Sequence, residues 1–401
     1  MIDENQSQPI APIPKKSKWK SKKLWIIIIL ILLAGSSVSA YYILKQKAAP
    51  SVTSSNVQKV KKTSTTQIKN IYFADSEKLY SVNPDTKKLN IVDSNVSSGS
   101  GSIGLGTTSP LNSPNLYRVA YTKKEDIYLK EDGKKIKKID QPTTEENAGY
   151  YKYISAWSSD SENLTYSISF DCGMNPDCDY KDEDKNLTGI YWYSLNTGES
   201  TKLPIKTSEM WVPNTTKVAY FSGEDNVILR TYDVVSKEDK QLTSIDWSNP
   251  GPQLTFSDDG NKIIYADIAT DSNKSQIIIA NQDNTGKKNQ KSGAYSELQF
   301  PLFIKDSSDN FVYIKSEDKV CPDGGGGCPI SYIYSVIDGK STKIATSAQA
   351  MGFLSDTQLI ALTGYAYSKP VKKTLSIINL KDNSTTNLYT GGDQMYAEMY
   401  H

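Results

Sequence analysis

The sequence predicts an all-β protein, and three observations support this fold class. Beyond the N-terminal region, apolar residues occur in short runs, which suit strands better than helices. Tyrosine is abundant, with 26 residues, and aromatic residues favour strands. Ser, Thr, Asn, Asp and Gly cluster between the apolar runs, where they suit tight turns. The 401-residue chain can bury a large core in this way.

A repeated unit specifies the architecture. A pattern of roughly 35 to 50 residues recurs about seven times from residue 68 onward, and most copies contain four predicted strands. Phe256-Ser257-Asp258-Asp259-Gly260 and Trp157-Ser158-Ser159-Asp160 are its clearest turns, where Asp and Gly close a hairpin and the preceding aromatic packs between sheets. Four strands per unit form a β-propeller blade. The sequence therefore predicts a propeller of about seven four-stranded blades, with six to eight possible.

These turns resemble the TolB-type, WD40-like propeller repeat, whose signature is an aromatic residue, Ser-Pro-Asp-Gly and an apolar strand. Both turns depart from it by lacking the proline. The resemblance covers nearly all of residues 68–390 and implies the fold rather than an activity, because propellers carry many unrelated functions.

The first unit, residues 68–92, offers three strands rather than four. The C-terminal segment 394–400 (QMYAEMY) has the length and apolar character of a strand. We expect it to supply the missing strand and close the ring, which would remove an exposed sheet edge.

The N-terminal region predicts a membrane anchor. Residues 1–23 contain six lysines, and residues 24–44 carry no charge over 21 residues, enough for one transmembrane helix. The positive-inside rule places residues 1–23 in the cytoplasm. Residues 45–67 then form a flexible stalk, and residues 68–401 an extracytoplasmic propeller in a single-pass protein of the cell membrane. The alternatives are secretion after cleavage following Ala40 and a buried helix of a soluble protein.

The four cysteines form two close pairs, Cys172 with Cys178 and Cys321 with Cys328. An exported location and turn residues between the partners favour two disulfides. Free thiols and a four-cysteine zinc site are the alternatives, although zinc pairs usually have a shorter spacing.

Several kinds of chemistry are excluded or disfavoured. The single histidine is His401, so a Ser-His-Asp triad or a histidine metal site cannot be built within the domain. Nucleophile-elbow and phosphate-loop motifs are absent from the sequence, and the propeller region is too weakly charged for nucleic acid. The sequence predicts no catalytic residues and no cofactor. Weak calcium candidates occur in an acidic insertion, Asp177, Asp179, Asp182 and Asp184, where a solvated loop is the alternative.

These observations lead to an expected function. We expect a membrane-anchored propeller that binds a protein, peptide or glycan of the cell envelope or serves as a scaffold there, and that is not an enzyme. The alternative is an exported carboxylate-dependent enzyme of glycosidase or lyase type. A purely structural envelope component is a third reading.

Overall fold

The computed structural model describes only part of the chain, all of it within the compact unit Thr66–His401. The described residues are 69–97, 108–142, 150–170, 186–206, 209–223, 227–245, 254–269, 274–294, 297–320, 327–364, 372–392, 394–396 and 398–399. Among them no helix is long and apolar enough to cross a membrane. The predicted span, residues 24–44, lies outside the described residues.

The described elements are strands arranged in seven sheets, which form a seven-bladed β-propeller. The first blades contain β1 (Ile71–Asp75), β2 (Lys78–Val82), β3 (Leu89–Ser94), β4 (Leu111–Asn112), β5 (Arg118–Lys123), β6 (Asp126–Glu131), β7 (Lys137–Lys138), β8 (Tyr150–Trp157), β9 (Asn163–Phe170), β10 (Gly189–Ser194), β11 (Ser200–Lys202), β12 (Glu209–Trp211), β13 (Lys217–Ser222), β14 (Val227–Asp233) and β15 (Asp239–Ile245). The later blades contain β16 (Leu254–Phe256), β17 (Lys262–Ala269), β18 (Lys274–Asn281), β19 (Lys288–Ala294), β20 (Leu298–Phe303), β21 (Phe311–Val320), β22 (Gly327–Ile337), β23 (Lys340–Thr346), β24 (Ala348–Ser355), β25 (Gln358–Thr363), β26 (Thr374–Asn379), β27 (Thr385–Thr390) and β28 (Glu398–Met399). The predicted all-β propeller of about seven blades is confirmed.

Each blade follows the same path from an inner to an outer strand. Blade 1 is β1 to β3, blade 2 is β4 to β7, and each later blade takes the next four strands in order. Because neighbouring strands are antiparallel, the first and third turns of a four-stranded blade lie on one face of the ring. The turn between β2 and β3 of blade 1 corresponds to the third turn of the other blades.

The ring closes through the C-terminal segment. The Ala74 N–H donates to the Tyr396 carbonyl (2.8 Å), and the Tyr396 N–H donates to the Ala74 carbonyl (2.9 Å). The buried Lys373 ammonium donates to the Met395 carbonyl (3.1 Å) and lies 4.1 Å from the centre of the Tyr396 ring. Beyond Tyr396, β28 pairs in parallel with β4 of blade 2. The C-terminus therefore supplies the inner edge of blade 1 as expected, but it also continues into the next blade.

The turn predicted at Ser257–Gly260 closes a hairpin between β16 and β17. The Ser257 hydroxyl donates to Asp259 Oδ1 (2.6 Å), which also accepts from the Asn261 N–H (3.1 Å). Gly260 has φ of 73°, and a Cβ there would lie 3.1 Å from the Pro213 carbonyl oxygen. Glycine is favoured at this position because it adopts positive φ without strain.

The core consists of apolar clusters between adjacent blades. Trp157, Trp211 and Phe256 precede equivalent turns in blades 3, 4 and 5, and all three are buried. Each packs in the cluster that its blade shares with the preceding one. The predicted position of the aromatic residue, between blades, is therefore correct for these three.

Candidate functional sites

A groove opens between blades 1 and 2 with a cavity volume of about 450 Å³. Blade 1 contributes residues from the start of β1 and from β2 and β3, and blade 2 contributes β6 and the turn that follows it. The groove takes its charge from Lys130, Asp132, Lys134 and Lys135.

The floor of the groove is rigid because its polar groups are paired. The Tyr72 hydroxyl donates to Asp132, and the Asn70 side-chain amide donates to both Asp132 oxygens at 2.9 and 3.0 Å. Burial, with the hydrogen bond and charge of Asp132, raises the pKa of Tyr72. The Asn112 side chain also bonds both the N–H and the carbonyl of Tyr72, at 2.8 Å each. These hydrogen bonds join blade 1 to blade 2, and the carboxylate of Asp132 accepts three of them.

The rim of the groove combines cations with exposed apolar side chains. Lys134 and Lys135 are exposed, and Lys130 donates back to the Lys134 carbonyl. Ile91 is 64% exposed and Ile136 is 37% exposed. A surface of this kind suits a ligand with both negative charge and apolar groups.

A second polar site lies between blades 3 and 4. Glu209 begins β12 and is 8% exposed. Ser155 is the extra residue of a β-bulge, since Ile154 pairs with Tyr166 and the next pair is Ala156 with Thr165. Bulges often redirect a side chain near functional sites. Glu209 Oε1 and Trp211 Nε1 are buried and have no hydrogen-bond partner within the described part of the chain.

The electrostatics of Glu209 differ from those of an ordinary carboxyl group. Burial raises its pKa to about 7, although the hydroxyls of Ser155 and Thr165 oppose the rise. A carboxyl group of this kind can exchange a proton near neutral pH.

The site residues proposed from the sequence lie largely elsewhere. Cys172, Cys178 and Cys321, and the calcium candidates Asp177, Asp179, Asp182 and Asp184, lie outside the described residues. Cys328 lies on β22, but its side chain is also outside the described part. The disulfides and the calcium site therefore remain predictions. Among the described residues no group of three acidic, cysteine or histidine side chains could hold a metal ion.

Sequence reasoning missed both observed sites. The sequence does contain a signal for the groove, since Lys87-Lys88-Leu89 and Lys134-Lys135-Ile136 both lie where the chain enters the outermost strand, in consecutive blades. Glu209 has no such signal, because its burial depends on the neighbouring blade.

The chain matches no protein-family model and no curated protein by sequence. Among solved structures it is similar to an oligogalacturonate lyase in complex with manganese, at 14% identity and TM-score 0.50, covering 76% of this chain and 83% of the lyase. It is also similar to dipeptidyl peptidase 4 from Porphyromonas gingivalis, at 14% identity and TM-score 0.45, covering 78% of this chain and 48% of the peptidase. A TolB-type protein from Agrobacterium tumefaciens matches at 14% identity and TM-score 0.37, covering 80% of this chain and 90% of that protein.

At these identities the comparisons show the fold alone. The chain spans about half the length of the peptidase. The lyase nevertheless corrects one expectation from the sequence, that the chain is not an enzyme, because a fold that matches 76% of this chain is present in an enzyme. That expectation rested on the absence of a triad, a histidine site and nucleotide motifs from the sequence, which does not exclude catalysis by carboxyl groups.

Proposed function

We propose that the chain is a membrane-anchored, extracytoplasmic β-propeller that binds a protein, peptide or glycan of the cell envelope. The groove between blades 1 and 2 carries this proposal. It joins a paired, rigid floor to a rim of exposed lysine and isoleucine side chains. Rigid floors with a few oriented polar groups suit ligand binding because little ordering is needed when the ligand arrives.

The anchor part of the proposal rests on the sequence. An uncharged segment at residues 24–44 follows a lysine-rich tail, a combination that favours a single-pass protein with its N-terminus inside. Asn70, near the start of the described propeller, lines the groove.

The test has two parts, both on the full-length chain. Intact cells that express it are treated with protease, and the mass of the mature protein is measured. We expect a membrane-bound chain of full mass whose propeller is cleaved from outside. A soluble form that begins at Tyr41 would contradict the anchor.

Binding is then measured for detergent-solubilised protein against envelope peptides and glycans. We expect the double variant Lys134→Glu/Lys135→Glu to lose binding. The matched control is Lys287→Glu/Lys288→Glu, because these exposed lysines follow a glycine in the equivalent turn of blade 5. Equal losses in the two variants would contradict the groove as the site.

Glu209 favours a second candidate, a carboxylate-dependent enzyme of glycosidase or lyase type. A buried carboxyl group with a pKa of about 7 can act as a general acid near neutral pH. This candidate predicts turnover of a glycan from a panel, and loss of that turnover in Glu209→Gln. Turnover that persists in the variant would remove Glu209 from the chemistry.

A further inference from the structure

The outer strand of blade 1, β3, exposes apolar side chains that a soluble edge strand usually avoids. Leu89 is 41% exposed and Ile91 is 64% exposed. They are two residues apart and therefore lie on the same face of the strand. With Ile136 across the groove, they make up three of the six exposed large apolar side chains in the described part of the chain.

The backbone of β3 can accept another strand. The Asn83 N–H donates to the Lys88 carbonyl (3.1 Å), and bonded and non-bonded pairs alternate along an antiparallel ladder. Ser81 and Asn90 then form the next bonded pair of β2 with β3. Leu89 and Ile91, on either side of Asn90, therefore direct their N–H and C=O groups away from β2. Among the described residues no other element forms a backbone hydrogen bond with them.

The charge beside this edge is positive. Lys130, Lys134 and Lys135 outnumber Glu131 and Asp132 in this segment, and Asp132 accepts hydrogen bonds from Tyr72 and Asn70. Glu131 is paired with Arg118 (3.2 Å) and with Lys134 (2.7 Å). Lys135 is exposed and forms no ion pair within the described residues. A strand lying along β3 would thus meet an apolar face and the uncompensated ammonium group of Lys135.

We propose that β3 is a docking edge for an extended peptide segment of a partner protein, in which apolar and acidic residues alternate. This inference rests on the proposed function and specifies its ligand. The peptide would add a strand to blade 1 by β-augmentation, with backbone bonds to Leu89 and Ile91. Its apolar side chains would cover Leu89 and Ile91, and its carboxylates would face Lys134 and Lys135. The stalk is a poor occupant because residues 45–67 carry lysines and no acidic residue.

The experiment measures fluorescence anisotropy of labelled synthetic peptides with the full-length chain in detergent. The probe alternates valine and glutamate. One control replaces glutamate by lysine, and another replaces valine by serine. A third control keeps the valine and glutamate side chains but carries N-methyl groups on alternate backbone amides, which all lie on one edge of the peptide strand. We expect the valine–glutamate peptide to bind most tightly, and N-methylation of one edge to abolish binding, because the methyl groups block the strand's hydrogen bonds.

Two pairs of variants locate the peptide. Ile91→Glu should weaken binding by about tenfold or more, since it loses an apolar contact and adds a like charge. Val235→Glu is its control, because Val235 is 65% exposed on another blade. Lys134→Glu/Lys135→Glu should weaken binding, and Lys287→Glu/Lys288→Glu should not. Hydrogen exchange at residues 89–91 should slow when the peptide binds.

Other outcomes separate the two proposals. Binding of dextran sulfate that needs Lys134 and Lys135, without binding of any peptide, would overturn strand addition and leave the groove as a site for polyanions. Concentration-dependent dimers that Ile91→Glu abolishes would show a second copy of the chain on β3 and would overturn the partner peptide. If neither the peptides nor dextran sulfate bind in a way that depends on Lys134 and Lys135, both proposals are overturned.

Discussion

The interface between blades 2 and 3 and the interface between blades 3 and 4 differ in the partners of their buried tryptophan and charged side chains. At the first, Trp157 Nε1 donates to the Leu111 carbonyl (3.0 Å), and Lys152 pairs with Asp126 (3.1 Å). At the second, Trp211 occupies the position equivalent to Trp157, but its indole N–H has no partner within the described residues, and neither does Glu209 Oε1. Unpaired buried polar groups cost stability. At the first interface the tryptophan and the charged groups are paired, although the Tyr166 hydroxyl there is not. The second interface retains a carboxyl group able to exchange a proton near neutral pH.

The largest expected effect would break the first interface. Asp126→Asn leaves the Lys152 ammonium, whose side chain is 1% exposed, without a carboxylate. Breaking one side of a buried pair costs roughly 3 kcal/mol or more. We expect a loss of that order in the free energy of unfolding, measured by urea denaturation of the full chain in detergent.

The control for this prediction is the double variant Asp126→Asn/Lys152→Met. It removes both charges and should recover much of the lost stability, because an uncharged buried side chain needs no partner. Partial burial disfavours the charged carboxylate of Asp126, but hydrogen bonds from Lys138 and Lys152 outweigh this and lower its pKa. A loss in Asp126→Asn no greater than that of a surface substitution would show that solvent screens the pair.

The second prediction concerns pH at the interface of blades 3 and 4. The pKa of Glu209 is about 7 in the folded protein, against an ordinary value of 4.5. The folded state therefore binds this proton more tightly than the unfolded state. Stability should fall as pH rises from about 4.5 to about 7, by roughly 3 kcal/mol if the whole shift is realised.

Glu209→Gln should remove this pH dependence of stability. Glu238→Gln is the control, because Glu238 is an exposed residue of the same blade, and this variant should retain the pH dependence. Unfolding of each variant by urea at several pH values gives the comparison. His401 is the single histidine and is present in every variant, so its titration cancels. A wild-type stability that stays level over this window would contradict the buried, protonated state of Glu209.

The fold could be read from the sequence because it depends on local patterns. The hairpin at Ser257–Gly260, the three strands of the first blade and the aromatic residues before the turns each occupy a few neighbouring residues. The two sites depend on contacts between blades. The partners of Tyr72 lie in blade 2, and those that surround Glu209 lie in blade 3. A single sequence does not state which strands become neighbours, so it gave no reason to select Glu209 over other acidic residues.

The smallest expected effect compares the two equivalent tryptophans directly. Trp157→Phe and Trp211→Phe each remove part of a buried ring, but the first also removes the hydrogen bond from the indole to the Leu111 carbonyl. Trp157→Phe should therefore cost about 1 kcal/mol more than Trp211→Phe, the net value of one hydrogen bond. Urea denaturation of the two variants measures the difference. Equal losses would mean that the bond from Trp157 adds nothing beyond packing, and the contrast between the interfaces would then rest on the charged groups alone.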